Sequence, residues 1–143
     1  PDTGGSKRAD AYSRHLQCEL VICHKTRTKP NIVDNITVIG NVENKNVILL
    51  DDMIDTAGTI SSAADAIKLK GAKSVRVLAT HPVLSGPAYE RIENSGIDQL
   101  IVTDTIPLQN ELSKIRVISI ADIFADVIQK VHNNQSISTS FVF

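Results

Sequence analysis

The sequence predicts an α/β protein: a three-layer, mostly parallel, doubly wound sheet in a single domain spanning residues 1–143. Strand-like apolar runs alternate with segments of helical periodicity, at the spacing of strand–helix–strand units. One such run, Val47-Ile48-Leu49-Leu50, reads as a buried strand and delivers Asp51 and Asp52 to its carboxyl end, where open α/β sheets place their ligands. A chain of 143 residues with 42% hydrophobic content supports one real core, and two domains would be crowded.

Composition narrows the function classes. A formal net charge of -1 gives no electrostatic reason to expect nucleic acid as a partner, so any phosphate site must be local. No apolar run approaches the ~20 residues of a membrane span and the start of the chain is not a signal peptide, so the expected compartment is the cytoplasm. Cys18 and Cys23 are the only cysteines and are read as reduced packing thiols. Pro1-Asp2-Thr3-Gly4-Gly5 is turn-rich with no strand before it, which suggests a piece of something longer, truncated at its amino end.

In chain order, Ala9, Tyr12 and Leu16 fall at helical spacing and predict a short amphipathic helix after the glycines. Asp2 is then a loop carboxylate beside a glycine turn, suited to a metal or to capping the helix. Leu20-Val21-Ile22-Cys23 predicts a strand, followed directly by the basic run from His24 to Lys29, which Pro30 ends. Lys25 and Arg27 share a parity, so an extended backbone points them the same way, and such cations would stabilise developing phosphoryl charge. Asn35 to Gly40 alternates like a half-buried strand, and the polar stretch from Asn41 to Asn46 turns into the central strand, so an antiparallel pair before Val47 is expected.

Beyond the central strand, Asp55, Thr56, Ala57, Gly58 and Thr59 lead into a helix marked by Ile60, Ala63, Ala64 and Ile67 and stopped by Gly71. Backbone N–H groups and two hydroxyls would converge there on an anion. With carboxylates at the other end of the site, a phosphorylated sugar fits better than a free base. Ser74 to Thr80 predicts the next strand, His81 to Pro87 a loop, and Pro87 the first position of a helix running towards Gly96. Gln99 to Thr103 and Ile115 to Ser119 read as two further strands. Ile120, Ile123, Phe124, Val127, Ile128 and Val131 then form the apolar stripe of a helix expected to pack on the sheet. The tail ends in two aromatics, Phe141 and Phe143, which suggest an interface if exposed.

The strand ending in Asp51-Asp52 also looks like a Walker-B element, but neither G-x-x-x-x-G-K-[ST] nor G-x-G-x-x-G occurs in the chain. An acidic turn that only caps a helix needs one aspartate, not three with two threonines around a glycine.

The stretch Asp51-Asp52-Met53-Ile54-Asp55-Thr56-Ala57-Gly58-Thr59 resembles the phosphoribosyl diphosphate loop of the type I phosphoribosyltransferase fold. Pro1-Asp2-Thr3-Gly4-Gly5, Lys25-Thr26-Arg27, the run from Thr80 to Ala88, Arg91 to Gly96 and Thr103 to Pro107 narrow the resemblance to the carboxyl-terminal domain of the ribose-phosphate pyrophosphokinase family. The likeness covers essentially the whole chain. It implies transfer of a diphosphoryl group from ATP to the anomeric hydroxyl of ribose 5-phosphate, with magnesium, in a homo-oligomer, a hexamer at full length. It also implies that Asp55, Thr56, Ala57, Gly58 and Thr59 bind the 5-phosphate and that Asp51 and Asp52 hold the ribose hydroxyls. Lys25 and Arg27 would be the catalytic basic pair, with Arg27 also touching substrate, and Asp2 a magnesium ligand. Thr26 stands where the family often has arginine, and His24 where aspartate is common. A fragment lacking the first domain is expected to be inactive alone. A nucleobase phosphoribosyltransferase would use the same loop but needs a base-binding hood that is not evident, and a non-catalytic regulatory subunit would be expected to lose Lys25 and Arg27.

Overall fold

The computed structural model describes residues 3–26 and 35–141. A four-stranded, wholly parallel sheet carries the architecture, in the order β3 (Asn46–Ile54), β4 (Ser74–Pro82), β5 (Gln99–Thr103), β6 (Ile115–Ile118). Strands β1 (Ile22–Thr26) and β2 (Asn35–Ile39) form a separate antiparallel pair in the register Ile22↔Ile39 to Thr26↔Asn35. Helices α1 (Thr3–Leu16), α2 (Gly58–Leu69), α3 (Ala88–Glu93) and α4 (Ala121–His132) complete the regular structure, with a 3-10 turn at Ser138–Ser140.

The core lies between the sheet and the α2–α3 layer. The period of α2 turns Ala64 and Ile67 inward against Val75, Val77, Leu100 and Val102, while α3 adds Ala88 and Ile92. Full burial of Ile67 or Ile92 contributes about 1.5–3 kcal/mol each. Gly71, at φ +86°, takes the left-handed conformation that ends α2, and its N–H donates back to Lys68 O at 2.9 Å. The shorter α3 is capped from a distance: Lys114 Nζ donates to the carbonyls of Ile92, Glu93 and Ser95 at 3.2, 2.7 and 3.1 Å. Lys68 and Asp98 pair at 2.7 Å, and Asp98 accepts from Val75 N at 2.6 Å, pinning the end of α2 to the start of β4.

Several boundaries differ from the sequence expectation for identifiable reasons. β1 starts two residues later than expected and includes His24 and Lys25, because the ladder with β2 continues to Asn35 regardless of side-chain polarity. Cys23 and Val38 are paired there and face the core, and α2 reaches this pair through Lys70 Nζ, which donates to Val38 O at 2.6 Å. The central strand is not buried: β3 is the sheet edge, Ile48 is 52% exposed, and Asp51 and Asp52 lie inside the strand rather than after it. The ladder with β4 runs on to Ile54↔Pro82, so His81 and Pro82 also belong to a strand. α1 begins at Thr3, which places Gly4 and Gly5 in its first turn. Pro87 occupies the N-cap of α3 rather than its first turn. Both cysteines are free as expected, but Cys18 is exposed and only Cys23 packs.

The largest departure is α4. Its apolar stripe does not pack on the sheet: Ile123, Phe124, Ile128 and Val131 are between 57% and 65% exposed. Periodicity specifies an apolar face, not what covers it. The helix start is set locally, with Asp104 accepting from Ile120 N at 3.0 Å. Among the described residues no helix is long and apolar enough to cross a membrane.

Ser61 Oγ is the buried side-chain oxygen, among the described residues, without a hydrogen-bond partner. An unsatisfied buried hydroxyl costs about 1–3 kcal/mol, so Ser61→Ala is expected to raise the unfolding free energy by about 1 kcal/mol in a denaturant titration. A loss of stability would show that the hydroxyl contributes favourably.

Candidate functional site

The site is built at the junction of β3 and α2. Ile54, 3% exposed, anchors the end of the strand, Asp55 and Thr56 turn the chain, and Ala57 adopts φ 58°, ψ 4° before α2 begins at Gly58. A left-handed alanine costs roughly 1–2 kcal/mol, so the surrounding structure must hold it. Part of that hold comes from the β4–α3 connection. Leu84 N donates to Ile54 O at 3.0 Å, Ser85 N to Asp55 O at 3.1 Å, and Ser85 Oγ to the Asp55 carboxylate. From α3, Arg91 Nη1 donates to Thr56 O at 2.9 Å.

The turn frames a cavity of about 180 Å³ lined by Asp51, Asp55, Thr56, Ala57, Thr59 and Ile60, together with Met53 and Ile54. No side-chain hydrogen bond caps α2 and its first turn holds no acidic residue, so the positive end of the helix dipole lies beside this space, which the Asp51 and Asp55 side chains also line. The arrangement suits a phosphate or another small oxyanion. Asp51 reaches the same cavity from β3. Burial, partly offset by the hydrogen bond from Asp52 N and reinforced by the Asp52 charge, pushes its carboxyl above the usual aspartate value.

Asp52 takes a different position. It lies beside Arg8 of α1 at 3.8 Å and accepts from Met53 N at 2.9 Å. Both carboxylates border a larger groove of about 830 Å³ between α1 and the sheet, which Arg8, Tyr12, Thr80 and Thr103 also line. At the same strand ends His81 Nδ1 and Thr105 Oγ1 are 3.0 Å apart, and the hydroxyls of Thr103 and Thr105 both donate to Thr80 O, at 2.7 and 3.0 Å. His81 is thus tied into a hydroxyl network at the sheet's carboxyl edge.

Asp51, Asp55, Thr56, Ala57 and Thr59 therefore share one cavity, with Gly58 opening the helix behind it and Asp52 on the groove side. Lys25 lies in β1, while Arg27 and Asp2 are outside the described residues. Among the described residues no group of three or more His, Cys, Asp or Glu side chains could hold a metal ion. Sequence reasoning missed Arg8, Ser85 and Arg91. Ser85 and Arg91 reach the turn from more than 25 residues away, and nothing in their local pattern sets them apart from an ordinary loop serine and helix arginine.

The raised Asp51 carboxyl has a stability consequence. Ionising it costs the folded state more than the unfolded chain, so its charge erodes stability as pH rises through the raised value. Asp51→Asn, which keeps an acceptor for Asp52 N, is expected to melt at a higher temperature than the parent at neutral pH. The difference should vanish below the ordinary aspartate value of 3.8, where both states are protonated. Thermal unfolding across that range checks it, and a lower melting temperature for the variant at neutral pH would contradict the assignment.

Comparison with known proteins adds three findings. The family model of the phosphoribosyl synthetase-associated domain matches residues 2–142. Ribose-phosphate pyrophosphokinases from Wolinella succinogenes and Porphyromonas gingivalis are 51% and 46% identical to the chain, over 99% and 100% of its length but 46% of their own. The crystal structure of phosphoribosylpyrophosphate synthetase from Mycobacterium smegmatis superposes with a TM-score of 0.83 at 38% identity, covering 92% of this chain and 43% of that one. The chain thus spans under half the length of these relatives. By sequence match over nearly all its residues, the chain belongs to the phosphoribosyl synthetase-associated domain family.

Proposed function

We propose that the chain is the carboxyl-terminal domain of a ribose-phosphate pyrophosphokinase and that it holds ribose 5-phosphate at the β3–α2 junction. The observation that carries this reading is the shared cavity, lined both by the turn into an uncapped helix and by the Asp51 carboxylate. A phosphate against the amides and hydroxyls of Asp55, Thr56, Ala57, Gly58 and Thr59 would leave the sugar ring beside Asp51. Carboxylates accept hydrogen bonds from vicinal hydroxyls, so Asp51 and Asp52 would orient the ribose.

The reaction is transfer of the β,γ-diphosphoryl group of ATP. The anomeric oxygen forms a bond to the β-phosphorus, the bond from that phosphorus to the α-phosphate oxygen breaks, AMP leaves, and the hydroxyl proton is lost. Such a transfer needs positioning and charge neutralisation more than a covalent catalyst. In this reading Lys25 and Arg27 neutralise the moving diphosphoryl group, and Arg27 also contacts substrate. Magnesium commonly binds through one or two carboxylates together with substrate phosphates. Asp51 and Asp52 suit that mode better than a cage made only of protein ligands, since the described residues offer no three-ligand cluster. Asp2 is a further proposed ligand, and the ion would supply charge neutralisation on the phosphates. The parent enzyme is proposed to be a cytoplasmic homo-oligomer, a hexamer, and the fragment alone to be inactive because the rest of the ATP pocket lies elsewhere.

Titration calorimetry of the chain with ribose 5-phosphate is expected to show weak saturable binding that ribose does not reproduce. Thr59→Ala and Asp51→Asn should each weaken it about tenfold, the loss of roughly one charge-assisted hydrogen bond. In an intact parent enzyme Lys25→Ala should lower turnover with little change in KM for ribose 5-phosphate. Absence of heat from ribose 5-phosphate, with and without magnesium, would falsify the proposed site.

A further inference from the structure

The geometry points to Arg91 as a positioning residue for the anion cradle: its guanidinium fixes the peptide plane between Thr56 and Ala57 so that the amide, not the carbonyl, faces the cavity. This inference rests on the reading of the β3–α2 turn as a phosphate site.

Arg91 Nη1 donates to Thr56 O at 2.9 Å from the side of α3. In a planar trans peptide the C=O and the following N–H point in opposite directions. Holding the Thr56 carbonyl towards α3 therefore aims the Ala57 N–H the other way. Ala57 is the residue that most needs such a hold, because its φ of 58° places it in the left-handed region. Rotation of this peptide plane would relieve the alanine and swing a carbonyl oxygen towards any bound anion, replacing attraction by repulsion.

Gly58 belongs to the same device. Its backbone φ is not in the left-handed region, so conformational freedom does not explain the glycine. A Cβ there would stand 3.2 Å from Arg91 Nη1, tighter than an ordinary van der Waals contact. The glycine leaves room for the guanidinium to lie across the start of α2. Arg91 is not among the residues lining the cavity and its side chain is exposed, so it acts through the turn rather than by touching a ligand there.

Arg91→Met keeps the length of the aliphatic stem and removes the donors, while Arg91→Lys keeps a charged donor. Two measurements on the 143-residue chain test the inference. In the ligand-free chain, amide hydrogen exchange at Ser61 and Ser85, whose N–H groups donate to Ala57 O and Asp55 O, should accelerate about tenfold in Arg91→Met relative to the amides of β4 and recover in Arg91→Lys. With ribose 5-phosphate as the probe, the dissociation constant should rise about tenfold in Arg91→Met and return to within about threefold of the parent in Arg91→Lys. Parent-like exchange and parent-like binding in Arg91→Met would overturn the role. If the parent chain does not bind ribose 5-phosphate, the functional reading fails, while the exchange experiment still decides whether Arg91 holds the turn.

Discussion

The structure depends on one parallel pairing. β3 is an edge strand held along its length by β4, and the register from Asn46↔Ser74 to Ile54↔Pro82 carries the chain past its apolar run. Because that ladder extends so far, Asp51 is presented from a strand rather than from a loop, with its backbone fixed. The same register brings the β4–α3 connection level with the turn, so that Leu84 and Ser85 can bind its carbonyls. A carboxylate carried on a fixed strand and a braced helix start beside it follow from a single alignment of two strands.

That alignment has an energetic cost that locates the site. Ala57 sits in a left-handed conformation, Asp51 ionises less readily than an ordinary aspartate, and α2 starts without a side-chain cap. Each weakens the isolated domain; an anion would satisfy the uncapped start of α2, and the hydroxyls of the same ligand would donate to the Asp51 carboxylate. Unfavourable local choices gathered around one small cavity are a stronger functional sign than any one of them. The uncovered stripe of α4 is a different kind of cost, borne over a helix face remote from the turn in sequence.

Much of this was legible in the residues. The alternation of apolar runs and helical periods gave the parallel sheet, and the glycine at position 71 marked the end of α2 where the left-handed residue is found. Residues 55–59 were readable as a helix-start turn because threonine, alanine and glycine follow a strand that ends in acids. Less legible were features set by partners distant in sequence. The edge position of β3 depends on which strands flank it, and a run of four apolar residues looks the same in the centre of a sheet as at its edge. The entry of His24 and Lys25 into β1 depends on β2 lying alongside. The braces from Ser85 and Arg91 are contacts across 30 and 35 positions, with no local signature.

The central claim is that the amides at the start of α2 receive the phosphate of ribose 5-phosphate. It is tested most directly by following backbone amide resonances of the chain as ribose 5-phosphate is added. The account predicts that the largest shifts fall on residues 56–59, that inorganic phosphate moves the same signals, and that the Asp51 carboxylate responds only to the sugar phosphate. Shifts centred elsewhere, with residues 56–59 unmoved at saturation, would contradict it.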